Sequence, residues 1–156
     1  MDLQTEQAVW RRVRGPGGLS AQEALLPEKL EALILEEQSR ARELRALARR
    51  VGGGRSGRLS RAAAQSEARS RSLNTLHYLL TGRRLRPQEP PLPRPAPTPE
   101  ALRQAALSLR EAVRSYESLA REFEDYAQDF SRYADETRSQ LAAVTDILQS
   151  RLTAER

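Results

Sequence analysis

Hydrophobic residues along the chain fall into long rows with helical spacing. Leu30, Ile34, Ala41, Leu44, Ala48 and Val51 form one such row, and Glu37 occupies its missing place. The steps alternate between four and three residues, which puts all seven positions on one face of an α-helix. The row recurs as Leu102, Ala106, Leu109, Val113, Tyr116, Ala120 and Phe123, every position shifted by 72. This predicts an internal repeat of a helical hairpin, with Leu109 at the place of Glu37. The second helix of each hairpin is less sharply phased. Its rows read Leu59, Ala63, Ser66, Ser70, Leu73, His77, Leu80 and Phe130, Ala134, Thr137, Leu141, Val144, Leu148. Neither hairpin can bury its stripe alone, so the two are expected to close into a four-helix bundle.

Glycine and proline divide these rows. Breaks are expected at Gly15-Pro16-Gly17-Gly18, at Gly52-Gly53-Gly54-Arg55-Ser56-Gly57 and in the proline-rich run from Pro87 to Pro99. Gly82 suits a helix C-terminus, and Thr98-Pro99-Glu100 reads as a cap, a first-turn proline and an early acid. One domain is expected, with a leader helix and turn over 1–18, a first hairpin over 19–86, a crossover over 87–99 and a second hairpin over 100–156. In the leader, Val9, Trp10 and Val13 would cap one end of the bundle or a dimer interface. An extended crossover at ~3.1 Å per residue spans roughly 40 Å. A 25-residue helix is about 37 Å long. The third helix can therefore begin at the end of the bundle opposite to where the second finishes.

Composition narrows the chemistry. There is no cysteine, a single histidine, His77, and a single lysine, Lys29, beside 25 arginines. That excludes disulfides, zinc-thiolate sites, iron–sulfur clusters and any one-chain site needing two imidazoles. Residues 1–94 carry a net +8 and residues 95–156 a net −3, so the halves complement each other. Arg55, Arg58, Arg61, Arg69 and Arg71 are the residues a nucleic-acid or anionic-surface binder would use, but no aromatic platform accompanies them. The glycine run lacks the lysine of a phosphate loop. A signal peptide and a membrane span are not expected, which suggests a cytoplasmic protein.

Several segments carry a family resemblance. They are Leu35-Glu36-Glu37-Gln38-Ser39-Arg40-Ala41 running on to Leu47-Ala48, then Ala64-Gln65-Ser66-Glu67, and Tyr78-Leu79-Leu80-Thr81-Gly82-Arg83-Arg84 ahead of the proline-rich run. Tyr116-Glu117-Ser118-Leu119-Ala120 is the fourth. Together the chain resembles the ferritin-like, rubrerythrin-type proteins of bacteria. The resemblance implies an all-α, ferritin-like four-helix bundle of two hairpins joined by a proline-rich crossover, with a short N-terminal helix. It also implies a carboxylate-bridged di-iron centre, built from one glutamate on each of two helices and a Glu-x-x-His on each of the others.

Glu37 matches the first of those glutamates, while Leu109 stands in place of the second. The second helix offers Glu67-Ala68-Arg69-Ser70 or, one residue earlier, Ser66 and Arg69. The fourth offers Glu136-Thr137-Arg138-Ser139, or Thr137 and Gln140. Neither supplies a histidine, and His77 lies two turns beyond Ser70, where it reads as a packing residue. Glu37, Glu67 and Glu136 are the residual carboxylates that would hold iron or manganese if any metal binds. The alternative expectation is that Arg69 or Arg40 reaches Glu37 and takes a metal's place, because a buried charge needs a partner. Tyr78, Tyr116, Tyr126 and Tyr133 read as core-edge aromatics. Glu111, Glu117, Glu122 and Glu124 read as a solvated face, partly paired with Arg114 and Arg121.

The resulting expectation is a structural or interaction module without a cofactor, working as a homodimer or with another protein, and without membrane or nucleic acid. An active di-metal oxidoreductase handling peroxide or iron is the alternative.

Overall fold

The computed structural model describes residues 2–14, 23–86, 91–92 and 94–154; of residues 8, 9 and 11–14 it describes the backbone alone. It contains five α-helices and no strand among the described residues: α1 (Leu3–Arg14), α2 (Leu26–Val51), α3 (Gly53–Thr81), α4 (Thr98–Glu122) and α5 (Ala127–Ala154). No described helix is long and apolar enough to cross a membrane.

The helices form two hairpins, α2 with α3 and α4 with α5. Contacts between the hairpins fix their directions. Lys29 at the start of α2 pairs with Glu122 at the end of α4, and Arg50 near the end of α2 donates to the Ala96 carbonyl just before α4. Thus α2 and α4 run antiparallel. Arg58 near the start of α3 reaches Asp146 late in α5, so that pair is antiparallel too. The order is up, down, down, up, and the connection from α3 to α4 crosses the full length of the bundle.

The predicted rows face inward. Leu30, Ile34, Leu44, Leu59, Leu102, Leu109, Phe130 and Val144 are fully buried. They do not form one core. One apolar cluster gathers Leu26–Ile34, Leu73, Leu76 and Ala112–Ala134 at the end holding the α4–α5 turn. The other gathers Leu44–Ala48, Leu59–Ala63, Leu102–Leu109, Val144 and Ile147 at the opposite end. A polar layer lies between them.

Two breaks differ from expectation. The turn between α2 and α3 is made by Gly52 and Gly53 alone, both at positive φ (69° and 64°), while Gly54 and Gly57 lie inside α3. Positive φ is nearly free for glycine and costly for other residues, so two of them turn the chain through a corner without a loop. Thr98 is the first residue of α4 and not its cap; Pro97 precedes it and accepts a hydrogen bond from the Ala101 amide at 2.9 Å. Gly82 ends α3 as expected, left-handed at φ 76°, with its amide on the Tyr78 carbonyl. Beyond it, the Asn74 side chain exchanges two hydrogen bonds with the Leu85 backbone and folds the chain back along α3.

The break at 15–18 and residues 87–90 of the crossover lie outside the described residues, as do the side chains of Val9 and Val13. Trp10 is 40% exposed. α1 docks against α3 and the α4–α5 turn, where the Asp2 amide donates to the buried Asp129 carboxylate.

Candidate functional site: a polar layer centred on Arg69

The layer begins with Glu37, which sits on the apolar stripe of α2 and is wholly buried. A carboxylate there must be neutralised and have its lone pairs filled. Arg69 of α3 does most of this. Its Nε and one terminal nitrogen (Nη2) donate to the two Glu37 oxygens at 3.2 and 3.3 Å, the side-on fork of a bidentate pair. The Tyr116 hydroxyl of α4 donates to Oε1 at 2.7 Å. Arg40, one turn along α2, places a terminal nitrogen 2.8 Å from the same oxygen as an ion pair without the alignment of a hydrogen bond. Its Nε donates to Ser108 on α4 at 3.3 Å.

Arg69 also gathers the other side of the bundle. It donates to Glu136 of α5 at 3.2 Å, to Ser66 one turn back on α3 at 3.3 Å, and to the Gln140 side-chain oxygen. Gln140 is 2% exposed, and its amide nitrogen donates to the Ala62 carbonyl and to Ser66. Thr137 closes onto its own helix through the Tyr133 carbonyl. Two arginines therefore face two glutamates in the layer, and all four bundle helices contribute to it.

The geometry settles the two registers that the chain leaves open. On α3, Ser66 and Arg69 face inward, and on α5, Thr137 and Gln140 do. Glu136 sits at the layer's edge, its side chain 36% exposed. Glu67 is turned away. It is 39% exposed and pairs with Arg45 of α2 through 2.9 and 2.6 Å contacts. Of the three candidate carboxylates, Glu37 and Glu136 are bridged by one guanidinium, and Glu67 does not join them. Among the described residues there is no group of three or more His, Cys, Asp or Glu placed to hold a metal ion.

The electrostatics follow from burial. Burial, together with the adjacent Glu37 carboxylate, pushes the Tyr116 phenol well above its ordinary value of 10.0, with Arg69 and Arg40 opposing. Burial, the largest single influence, acts to lower the Arg69 guanidinium, but Glu37, Tyr116 and Glu136 together raise it and the net direction is up. Both groups keep their protons and act as fixed donors.

The remaining candidates lie elsewhere. His77 is buried in the core end, its Nδ1 3.0 Å from the Arg83 carbonyl and its Nε2 2.9 Å from Glu31 of α2. Of the five arginines that a surface binder would use, Arg69 is inside and Arg58 is paired, leaving Arg55, Arg61 and Arg71 exposed. Tyr78 is 43% exposed under the Arg84 guanidinium, while Tyr116, Tyr126 and Tyr133 lie in the core. On the acidic face, Glu117 and Glu122 are reached from other helices, by Arg138 and Lys29.

Comparison with protein-family models, with curated proteins and with solved structures finds no match. Tyr116 was the member least visible beforehand, since on the α4 stripe it reads as an aromatic. The available signal was its repeat counterpart, Leu44, which carries no polar tip where Tyr116 carries a hydroxyl.

Proposed function

We propose that this chain is a ferritin-like four-helix bundle in which an arginine-centred polar layer stands where a di-metal centre would be, and that it serves as a structural or interaction module. The up-down-down-up order with one full-length crossover supports the bundle type. The position of Arg69 is the single observation that carries the functional reading. Its guanidinium lies between Glu37 and Glu136, where a bound cation would have to sit.

The donor set does not suit a metal. Hard divalent ions need free carboxylate oxygens. Both Glu37 oxygens already accept from Arg69, and Oε1 accepts from Tyr116 as well. At the two places where the family pattern would supply imidazole, the inward residues are Arg69, a cation, and Gln140, whose oxygen is held by Arg69. Leu109, at the second glutamate's place, is fully buried in apolar contacts.

The test is metal content and metal response together. Protein purified without chelator is analysed for iron and manganese, and its melting temperature is measured with chelator and with added Fe(II) or Mn(II). The expected result is far less than one metal per chain and an unchanged melting temperature. One metal per chain, or a melting temperature that rises with added metal, would falsify the reading.

A further inference from the structure

A groove of about 380 Å³ opens between the last turns of α2, the first turns of α4 and the crossover, at the end of the bundle away from α1. Its walls are mainly apolar, formed by Leu47 of α2, Ala101 of α4, and Leu92 and Pro95 of the crossover. Leu92 is 42% exposed, a large apolar side chain facing solvent within a concave surface. The volume lies in the range that small-molecule sites occupy.

The rim is charged, with one sign dominant. Arg49, Arg50 and Arg94 line it against a single acid, Glu43. Arg50 is committed to the wall, since it donates to the Ala96 carbonyl at 2.6 Å and ties the crossover to α2. Arg49 and Arg94 are exposed and have no ion-pair or hydrogen-bond partner among the described residues. Burial pushes the Glu43 carboxyl up, with Arg40 opposing. Two exposed guanidiniums beside an apolar trough are complementary to a molecule with an anionic head and an apolar tail.

We propose that this groove binds a single-chain anionic amphiphile, with its carboxylate on Arg49 and Arg94 and its hydrocarbon chain along Leu47, Leu92 and Pro95. The binding is a property of the crossover face and does not depend on whether the polar layer holds a metal. The bundle would then carry its ligand on the outside, between a helix pair and the segment that joins the hairpins.

The probe is sodium decanoate, titrated into the full chain by calorimetry and followed by amide chemical shifts. Decanol and decyltrimethylammonium serve as neutral and cationic counterparts. Decanoate is expected to bind saturably at one site and to shift amides of the α2 end and the crossover. Decanol is expected to bind about tenfold more weakly and the cation not to bind, because a charge-assisted contact is lost or reversed. Arg94→Glu and Leu92→Asp each weaken decanoate binding about tenfold or more. Both residues are exposed and outside the helices, so the fold is retained, which circular dichroism verifies. Arg71→Glu, an equal charge change on the far part of α3, leaves binding unchanged. The proposal is overturned if decanoate does not saturate or if the cation binds as well as the anion. It is equally overturned if Arg94→Glu has no more effect than Arg71→Glu.

Discussion

Glu37→Leu is the substitution that tests the polar layer most directly. Leucine occupies the same place in the second half of the repeat, where Leu109 is fully buried, so shape alone predicts tolerance. Charge predicts the opposite. In the variant, Arg69 keeps Glu136, Gln140 and Ser66, but Arg40 and Arg69 both lose their buried counter-charge and the Tyr116 hydroxyl loses its acceptor. Removing one member of a buried ion pair costs about 3–5 kcal/mol. For a chain of this size that lowers the melting temperature by roughly 6–20 °C.

A double-mutant cycle separates the pair from the rest. Arg69→Met alone strands Glu37 with Arg40 and Tyr116, whereas Glu37→Leu with Arg69→Met removes both ends of the forked contact. The double variant is expected to be more stable than the sum of the singles predicts, by ~0.5–3 kcal/mol. Urea unfolding followed by circular dichroism measures all four corners of the cycle. Additivity within about 0.5 kcal/mol, or a cost for Glu37→Leu below about 1 kcal/mol, would refute the account of the layer as a coupled unit.

Further predictions concern single residues. Tyr116→Phe removes a hydrogen bond to a buried carboxylate and should cost about 1.5–3 kcal/mol at neutral pH, read by urea unfolding. Because the folded phenol is raised above its ordinary 10.0, the unfolded chain loses that proton first; its contribution is intact below about pH 10 and is lost as pH rises through the folded value. The wild-type chain should thus show an alkaline loss of stability that is shallower in Tyr116→Phe, and equal slopes would contradict the assignment. Among the glycines, Gly57→Ala should stabilise by ~0.5–1 kcal/mol, since it sits inside α3 with open space around a new Cβ. Gly82→Ala has equal space but positive φ, so it should cost ~1–2 kcal/mol; thermal melts of the two variants must move in opposite directions.

How much of this was legible depended on side-chain contrast. The rows of α2 and α4 stand out because leucine, isoleucine and valine alternate with charge, and both proved to face the core. α3 is harder because alanine marks no side: Ala62 and Ala63 are buried while Ala64 and Ala68 are exposed. Its largest buried side chain is Arg69, which a hydrophobic pattern assigns to solvent. The clue lay on another helix, since a glutamate on the α2 stripe requires a counter-charge. Gly54 and Gly57 misled for a related reason. Their cost in a helix is about 1 kcal/mol each, and tertiary packing offsets it, with Leu59 just beyond them fully buried.

The layer also sits where it has most leverage over how the helices align. It divides two apolar clusters, and apolar clusters of similar composition tolerate sliding. A slip of one turn, about 5.4 Å, would move Arg69 off Glu37, Glu136 and Gln140 and into leucines on either side, leaving a buried cation without acceptors. We therefore expect the layer to select one helix register even though apolar substitutes would supply equal or greater stability. The combined variant Glu37→Leu, Arg40→Met, Arg69→Met and Tyr116→Phe isolates that role, because no buried charge is left in the layer: Glu136 lies at its edge, and Gln140 keeps Ala62 and Ser66. It should recover most of the stability lost in Glu37→Leu alone, while its methyl and amide resonances broaden or multiply as neighbouring registers become populated. Recovery of stability with a single sharp set of resonances would show that the apolar clusters align the bundle unaided.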